Sequence, residues 1–191
     1  MKNDKIYFYL CGTGASFGSP AAYKRNGNID TNNLKNFRTR SSVFLRVNNT
    51  NVLIDCSPDL RQQMMNAKIN DLDLILFTHE HSDHTAGVPD IRPFSLFNSK
   101  IIPAYMPEKM IENMSNHYKF VFYGEKSYQP FMKIHKLENE FEFNGIKIET
   151  FKHNHGDIDC QTYIINKRFA YTTDFKKFYK QEDIDRLKNI E

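Results

Sequence analysis

Thr78-His79-Glu80-His81-Ser82-Asp83-His84 places three imidazoles and an aspartate carboxylate within six positions, directly after the apolar run Leu72 to Phe77. Imidazole and carboxylate suit zinc and, less selectively, manganese, iron or nickel. The whole chain has seven histidines in 191 residues, so three in so short a stretch mark a metal site rather than a polar loop. A loop of this kind at the end of a strand can splay His79, His81, Asp83 and His84 around one or two small cations. Each imidazole binds through one ring nitrogen and needs the other held, a task for which Asp90 is a candidate. The His-Glu-x-x-His pattern of helical zinc sites and paired-cysteine spacing are both absent. Structural zinc sites close all four positions with Cys or His, whereas His and Asp with an open position activate water. The expected chemistry is hydrolysis.

The elements that must position this loop are rich in strand. Ile6 to Leu10, Ser42 to Val47, Asn51 to Ile54 and Leu72 to Phe77 carry β-branched and aromatic residues, and Asn48-Asn49-Thr50 reads as a hairpin turn. Asp59 to Ala67 is a predicted helix, with Ser57 as N-cap and Pro58 at its first position. Thr85 to Phe97 gives helical pieces interrupted by Pro89 and Pro93, and Pro107 to Tyr118 a further helix. Tyr118 to Tyr123 reads as a buried edge or helix end. Later strands are expected at Phe131 to Leu137, Phe141 to Phe143, Ile146 to Phe151, Gln161 to Ile165 and Phe169 to Thr172. Runs of strands with helices between them imply an α/β protein with stacked layers. Residues 1–191 read as a single domain, without repeats or low-complexity linkers. Ser19 to Phe37 is a long polar stretch placed to line a substrate entrance.

Composition narrows the function classes. A net charge of +3 and a pI near 8.6 tilt toward small anionic substrates and away from nucleic acid, whose binders cluster Lys and Arg at a pI above about 9. Cys11, Cys56 and Cys160 are scattered, as in a cytoplasmic protein with reduced thiols. Cys56 reads as a buried thiol, with a ligand role as runner-up. No apolar run reaches the ~20 residues of a membrane span. Gly12-Thr13-Gly14-Ala15-Ser16-Phe17-Gly18 is spaced wrongly for a dinucleotide fingerprint and reads as a tight turn passing near the metals. Arg38, Arg40 and Arg92 are candidate phosphate partners, supported by Ser41 or Ser42, because a guanidinium can bridge two phosphoryl oxygens. Pairing of Arg92 with Asp55 or Asp90 is the structural alternative.

His79-x-His81-x-Asp83-His84 at a strand end resembles the signature of the metallo-beta-lactamase superfamily. The resemblance continues through Leu10 to Pro20, Arg38 to Ser42, Leu53 to Arg61 and Pro89 to Phe94, which are similar to the branch containing the cyclic phosphodiesterase of the carbon-phosphorus lyase pathway. It implies an αββα sandwich and two divalent ions, zinc foremost. His79 and His81 would hold the first ion, Asp83 and His84 the second. His155 matches the third ligand of the first ion, with His153 as competitor, and Asp174 matches the bridging carboxylate. The family's final histidine has no counterpart, since no histidine follows His155. The fold is therefore expected to be incomplete at the C-terminus. The second ion then rests on Asp83, His84, Asp174 and water, or on a ligand from another chain, or the activity is impaired. Lys24, Arg25, Asn26, Gly27 and Asn28 stand where the relatives carry cysteines, so no structural zinc is expected.

The implied activity is a phosphodiesterase for a small cyclic or nucleotide-like phosphodiester, in which hydroxide generated between the ions attacks phosphorus. Asp83 would orient the nucleophile, His84 would assist the leaving group, and Arg92, Arg40 and Ser41 would bind substrate. The alternatives are a tRNA 3′-processing-type endonuclease, a thioesterase or lactonase, and a catalytically impaired, shortened homologue. Sheet surface left bare by a lost C-terminal region is expected to favour a homodimer.

Overall fold

The computed structural model describes residues 5–23 and 28–190. The first sheet runs in the order β1 (Ile6–Gly12), β2 (Ser42–Val47), β3 (Thr50–Ile54), β4 (Leu74–Leu76), β5 (Ile102–Met106), β6 (Met132–Lys136). Its first three strands pair antiparallel and the rest parallel. The β2–β3 hairpin closes through Asn48 and Asn49, with Val47 opposite Thr50 and Asn48 at φ +54, a conformation asparagine tolerates.

In the second sheet β10 (Phe169–Tyr171), β9 (Ile158–Ile165) and β8 (Ile146–His155) lie side by side. On its other side β8 pairs first with β7 (Glu140–Phe143) and then with β11 (Lys177–Phe178), all antiparallel.

Strands β3 and β4 are buried on both faces, which is why Val52 to Ile54 and Leu74 to Leu76 read as unbroken apolar runs, whereas β5 and β6 mix buried residues with more exposed ones. Alternation along β4 sends Leu74 and Leu76 into the core between the sheets, where they meet Val43, Leu45, Ile148 and Tyr163. Ile75 points the other way, into a core closed by α1 (Leu60–Ala67), α3 (Arg92–Phe97), α4 (Glu108–His117) and α5 (Lys119–Tyr123). Outward residues of β8 meet α6 (Gln181–Lys188): Arg186 pairs with Glu149 at 2.8 Å and lies over the Phe151 ring at 5.0 Å. The order helix, sheet, sheet, helix is the expected αββα sandwich.

Several local expectations shift. The predicted strand Leu72 to Phe77 shortens to Leu74–Leu76, and the strand from Ile146 lengthens to His155. Helix α1 starts after Asp59, because Pro58 and Asp59 form a turn in which Ser57 accepts from both Asp59 and Leu60. Pro93 sits in the first turn of α3 and does not interrupt it, since a proline there lacks only an N–H that would be unpaired anyway. Pro107 precedes α4 as its N-cap residue. Among the described residues no helix is long and apolar enough to cross a membrane. Lys24, Arg25, Asn26 and Gly27, on which the expectation about a structural zinc falls, lie outside the described residues.

Candidate metal centre

Parallel strands β3 and β4 end side by side, and ligands gather where the carboxyl ends of such strands meet. Asp55 follows β3, while Thr78, His79 and His81 follow β4 and lead into α2 (Ser82–Thr85), the single turn that carries Asp83 and His84. The end of β8 brings His155, and the bend after β10 brings Asp174. Asp55 and Asp174 both take positive φ, +65 and +51, a strained conformation for a side-chain-bearing residue that here aims two carboxylates inward.

All six expected ligands come together. His79, His81, His155 and Asp174 form one group whose donor atoms lie within 4.8 Å of one another, and Asp83, His84 and Asp174 form a second. Asp174 Oδ2 is common to both: it lies 3.4 Å from His79 Nε2, 3.4 Å from His155 Nε2 and 3.1 Å from His84 Nε2. His155 Nε2 approaches His81 Nδ1 at 3.3 Å, and Asp83 Oδ2 approaches His84 Nε2 at 3.4 Å. His79 Nε2 and His84 Nε2 are buried without a hydrogen-bond partner, although buried ring nitrogens are almost always satisfied. Two orphaned nitrogens converging on a shared carboxylate fit a pair of cations.

The ligand rings are held from behind. Asp55, fully buried, accepts from Thr78 N at 2.8 Å, from Thr78 Oγ1 at 2.8 Å and from His84 Nδ1 at 2.7 Å. That last bond fixes the proton on Nδ1 and turns Nε2 toward the centre. Asp90, the residue expected for this task, sits in a 3-10 turn beyond α2 and makes none of these bonds. The signal that finds Asp55 is its place at the end of the strand neighbouring the histidine loop. His79 Nδ1 faces Thr78 Oγ1 at 3.0 Å and Cys160 Sγ at 3.6 Å.

Burial and the adjacent His84 charge push the His79 ring down to about 3, which leaves it neutral as a ligand must be. Burial also opposes charge on His84, but Asp55 and Asp174 outweigh it and push the ring up to about 10. The close contact with His84 leads in holding Asp174 down to about 2.

Other candidates separate clearly. His153 is fully buried with Nδ1 facing Thr162 Oγ1 at 3.0 Å and Nε2 facing the Thr173 carbonyl at 2.9 Å, so both nitrogens are taken and His155 is the one that reaches the cluster. Cys56 is buried in the helix-side core, outside both ligand groups. The structure does not bring Arg40, Ser41 and Arg92 into the cluster. Arg40 faces Asp59 at 3.2 Å, Ser41 Oγ donates to the Gly14 carbonyl at 3.3 Å, and Arg92 stacks on the Tyr128 ring at 4.4 Å rather than pairing with Asp55 or Asp90. The glycine loop packs on residues 38–41 rather than on the ligand cluster: Gly14 N donates to the Thr39 carbonyl at 2.7 Å, and a Cβ on Gly12 would lie 1.9 Å from the Arg40 carbonyl.

A diphosphatase from the PhnP family has the same fold, with a TM-score of 0.81 and 26% identity over 96% of this chain and 70% of that one. The octanoyltransferase of Porphyromonas gingivalis is 29% identical over 185 residues, 94% of this chain but 37% of its own length. A ribonuclease Z of Saccharolobus islandicus is 26% identical over 180 residues, 93% of this chain and 54% of its own length. This chain thus spans about half or less of the curated relatives it matches. The beta-lactamase superfamily domain model matches residues 50–191, the span from β3 onward that supplies every ligand of the cluster, and the chain therefore belongs to that family.

Proposed function

We propose that this chain is a metal-dependent phosphodiesterase acting on a small cyclic or nucleotide-like phosphodiester. The observation that carries the reading is the sharing of Asp174 Oδ2 by two ligand groups with orphaned buried nitrogens, an arrangement suited to two ions side by side. Two divalent ions, with zinc the first candidate, would supply Lewis acidity toward phosphoryl oxygens and lower the pKa of water from 15.7 to about 7. His79, His81 and His155 would hold one ion, Asp83 and His84 the other, and Asp174 both. Asp83 would orient the attacking water, and the Asp55–His84 pair holds a proton at Nδ1 on the opposite side of the ring. Substrate contact by Arg40, Ser41 or Arg92 would require them to leave Asp59, the Gly14 carbonyl and the Tyr128 ring, their partners outside the cluster. Unchanged diester hydrolysis in Arg92→Ala would remove that arginine.

Similarity to a diphosphatase and to ribonuclease Z supports phosphoester chemistry, while the octanoyltransferase match, which covers 37% of that protein, is the reason acyl hydrolysis belongs in the test. A tRNA 3′-processing-type endonuclease is the second reading, favoured by the ribonuclease Z relatives. Free thiols at all three cysteines support a cytoplasmic location.

The test is elemental analysis of protein purified without chelators, joined to hydrolysis of bis(4-nitrophenyl) phosphate, 4-nitrophenyl acetate and a precursor tRNA. The expected result is about two ions per chain, falling toward one in Asp83→Ala, which removes a residue of the second group only, with loss of diester hydrolysis. Acyl hydrolysis without phosphodiester hydrolysis overturns the reading, and cleavage confined to the tRNA installs the second one.

A further inference from the structure

We propose that His153 is a positioning residue for the metal centre, whose imidazole grips the bend that delivers Asp174 to both ligand groups. The inference rests on the two-ion reading above. Asp174 lies where the chain has left β10 at Tyr171 and not yet rejoined the sheet at β11, where Lys177 stands opposite Asn154 and Phe178 opposite His153. Its φ of +51 is one that a side-chain-bearing residue keeps only when its surroundings impose it.

His153 supplies that hold. It is fully buried on β8, opposite Cys160 of β9, and its Nε2 lies 2.9 Å from the Thr173 carbonyl. A carbonyl only accepts, so Nε2 carries a proton. Both ring nitrogens bond to threonines, and a buried ring with no carboxylate bonded to it stays neutral. Nδ1 is then the acceptor and takes a bond from Thr162 Oγ1 at 3.0 Å. With its proton used there, Thr162 Oγ1 accepts from Thr172 Oγ1, also at 3.0 Å. One chain of bonds therefore runs from Thr172 through Thr162 and His153 to Thr173, and it fastens the two residues that precede Asp174.

The neighbouring groups hold the bend less firmly. Cys160 Sγ also faces the Thr173 carbonyl, but at 3.6 Å, and a thiol is a weak donor. Thr173 Oγ1 lies 3.4 Å from Asp174 Oδ1, the oxygen that the ligand groups do not share, so it biases the carboxylate without fixing the backbone. Phe175 and Phe178 pack against the His153 ring with centroids 5.7 and 6.3 Å away, contacts that carry no hydrogen bond to the bend. A rigid ring with an acceptor on one nitrogen and a donor on the other fixes the distance between Thr162 and the Thr173 carbonyl. Asp174 Oδ2 serves both ligand groups, so a slack bend loosens both ions, whereas removal of Asp83 touches one group.

The test compares wild type, His153→Leu, His153→Gln and Thr162→Val. Zinc retention is read by competition with a chromophoric chelator. His153→Leu should weaken retention of both ions by about tenfold or more. His153→Gln, whose amide nitrogen can donate to the same carbonyl, should restore most of it. In metal-free protein, NMR should place a proton on His153 Nε2, and the Thr173 carbonyl carbon should shift in His153→Leu and return in His153→Gln. Thr162→Val removes the donor to Nδ1 with little change of shape and should weaken zinc retention in the same direction, which decides the matter if His153→Leu does not fold. Unchanged zinc retention in these variants overturns the proposal, and so does an unmoved Thr173 carbon. Equal losses in His153→Leu and His153→Gln also overturn it, since His153 then acts by packing alone. A wild type that takes up no second ion fails the two-ion reading, and the Thr173 carbon in metal-free protein then decides alone whether His153 holds the bend.

Discussion

Asp55 organises the cluster without belonging to either ligand group. Its carboxylate is fully buried and takes three hydrogen bonds, two from Thr78 and one from His84. Replacing it with Asn removes the charge that orients His84 while keeping the volume. Outer partners of metal-bound histidines are worth about 10- to 100-fold in metal affinity, and breaking one side of a buried ion pair costs about 3–5 kcal/mol. Losses of this order are expected in Asp55→Asn by chelator competition and thermal unfolding, and unchanged zinc affinity would show that His84 is oriented some other way. The same pair sets a pH dependence in metal-free protein. Burial works against the His84 charge, but Asp55 and Asp174 raise the ring from 6.5 to about 10 in the folded state. A folded value above the unfolded one means that the stabilisation is fully present below pH 6.5 and is lost as pH climbs through about 10. Chelator-treated protein should therefore lose thermal stability from neutral pH toward pH 10, and Asp55→Asn should flatten that slope. Zinc binding should show the opposite trend and weaken as pH falls, because protons compete for the same nitrogens.

At the scale of elements, α2 is one turn long and is held by the backbone that follows β3. Cys56 N donates to the His84 carbonyl at 2.8 Å, and Gly87 N donates to the Cys56 carbonyl at 2.9 Å. Gly87 has an ordinary φ of −84, yet a Cβ there would lie 2.0 Å from the Ser57 carbonyl, so the glycine is required for space. Gly87→Ala should push α2 away from β3, cost about 1–3 kcal/mol and lower zinc retention at Asp83 and His84. Gly156 is the control, with φ +69 and no atom within 4 Å of an added Cβ. Gly156→Ala should cost only the left-handed strain of about 1–2 kcal/mol. Equal zinc contents in the two variants would refute this account of Gly87. The same contrast explains what could be read beforehand. The ligand loop was legible because its chemistry is local, and the antiparallel strands because their patterns are. Asp55 acts on Thr78 and His84, both far away in sequence, and the choice between His153 and His155 depends on a pocket built from Thr162 and Thr173. Strand β5 was not foreseen, since Pro103 argues against a central strand and only its parallel neighbours settle the matter. β11 and α6 are short and polar, and they take shape by docking on β8.

At the scale of the whole molecule, the two sheets are open along the same side. β1 ends the first sheet and β10 the second, and Phe8 meets Phe169 across them with ring centroids 5.5 Å apart. Natural sheet edges are guarded by charge, proline or a bulge. From Ile6 to Leu10 there is neither a charge nor a proline, and the register shift comes only between Leu10 and Gly12. Tyr7 and Phe8 are each 60% exposed. A net charge of +3 on 191 residues supplies little repulsion between copies. A second copy pairing its own β1 against this edge would satisfy the outward backbone groups and cover the aromatic strip. Sedimentation velocity should therefore show a monomer–dimer equilibrium that moves to monomer in Phe8→Lys, with metal content unchanged because the edge is remote in the sheet order from β4 and its ligand loop. A single monomeric species at high concentration would mean that the strand is shielded without a partner. A dimer unaffected by Phe8→Lys would place the interface on another face.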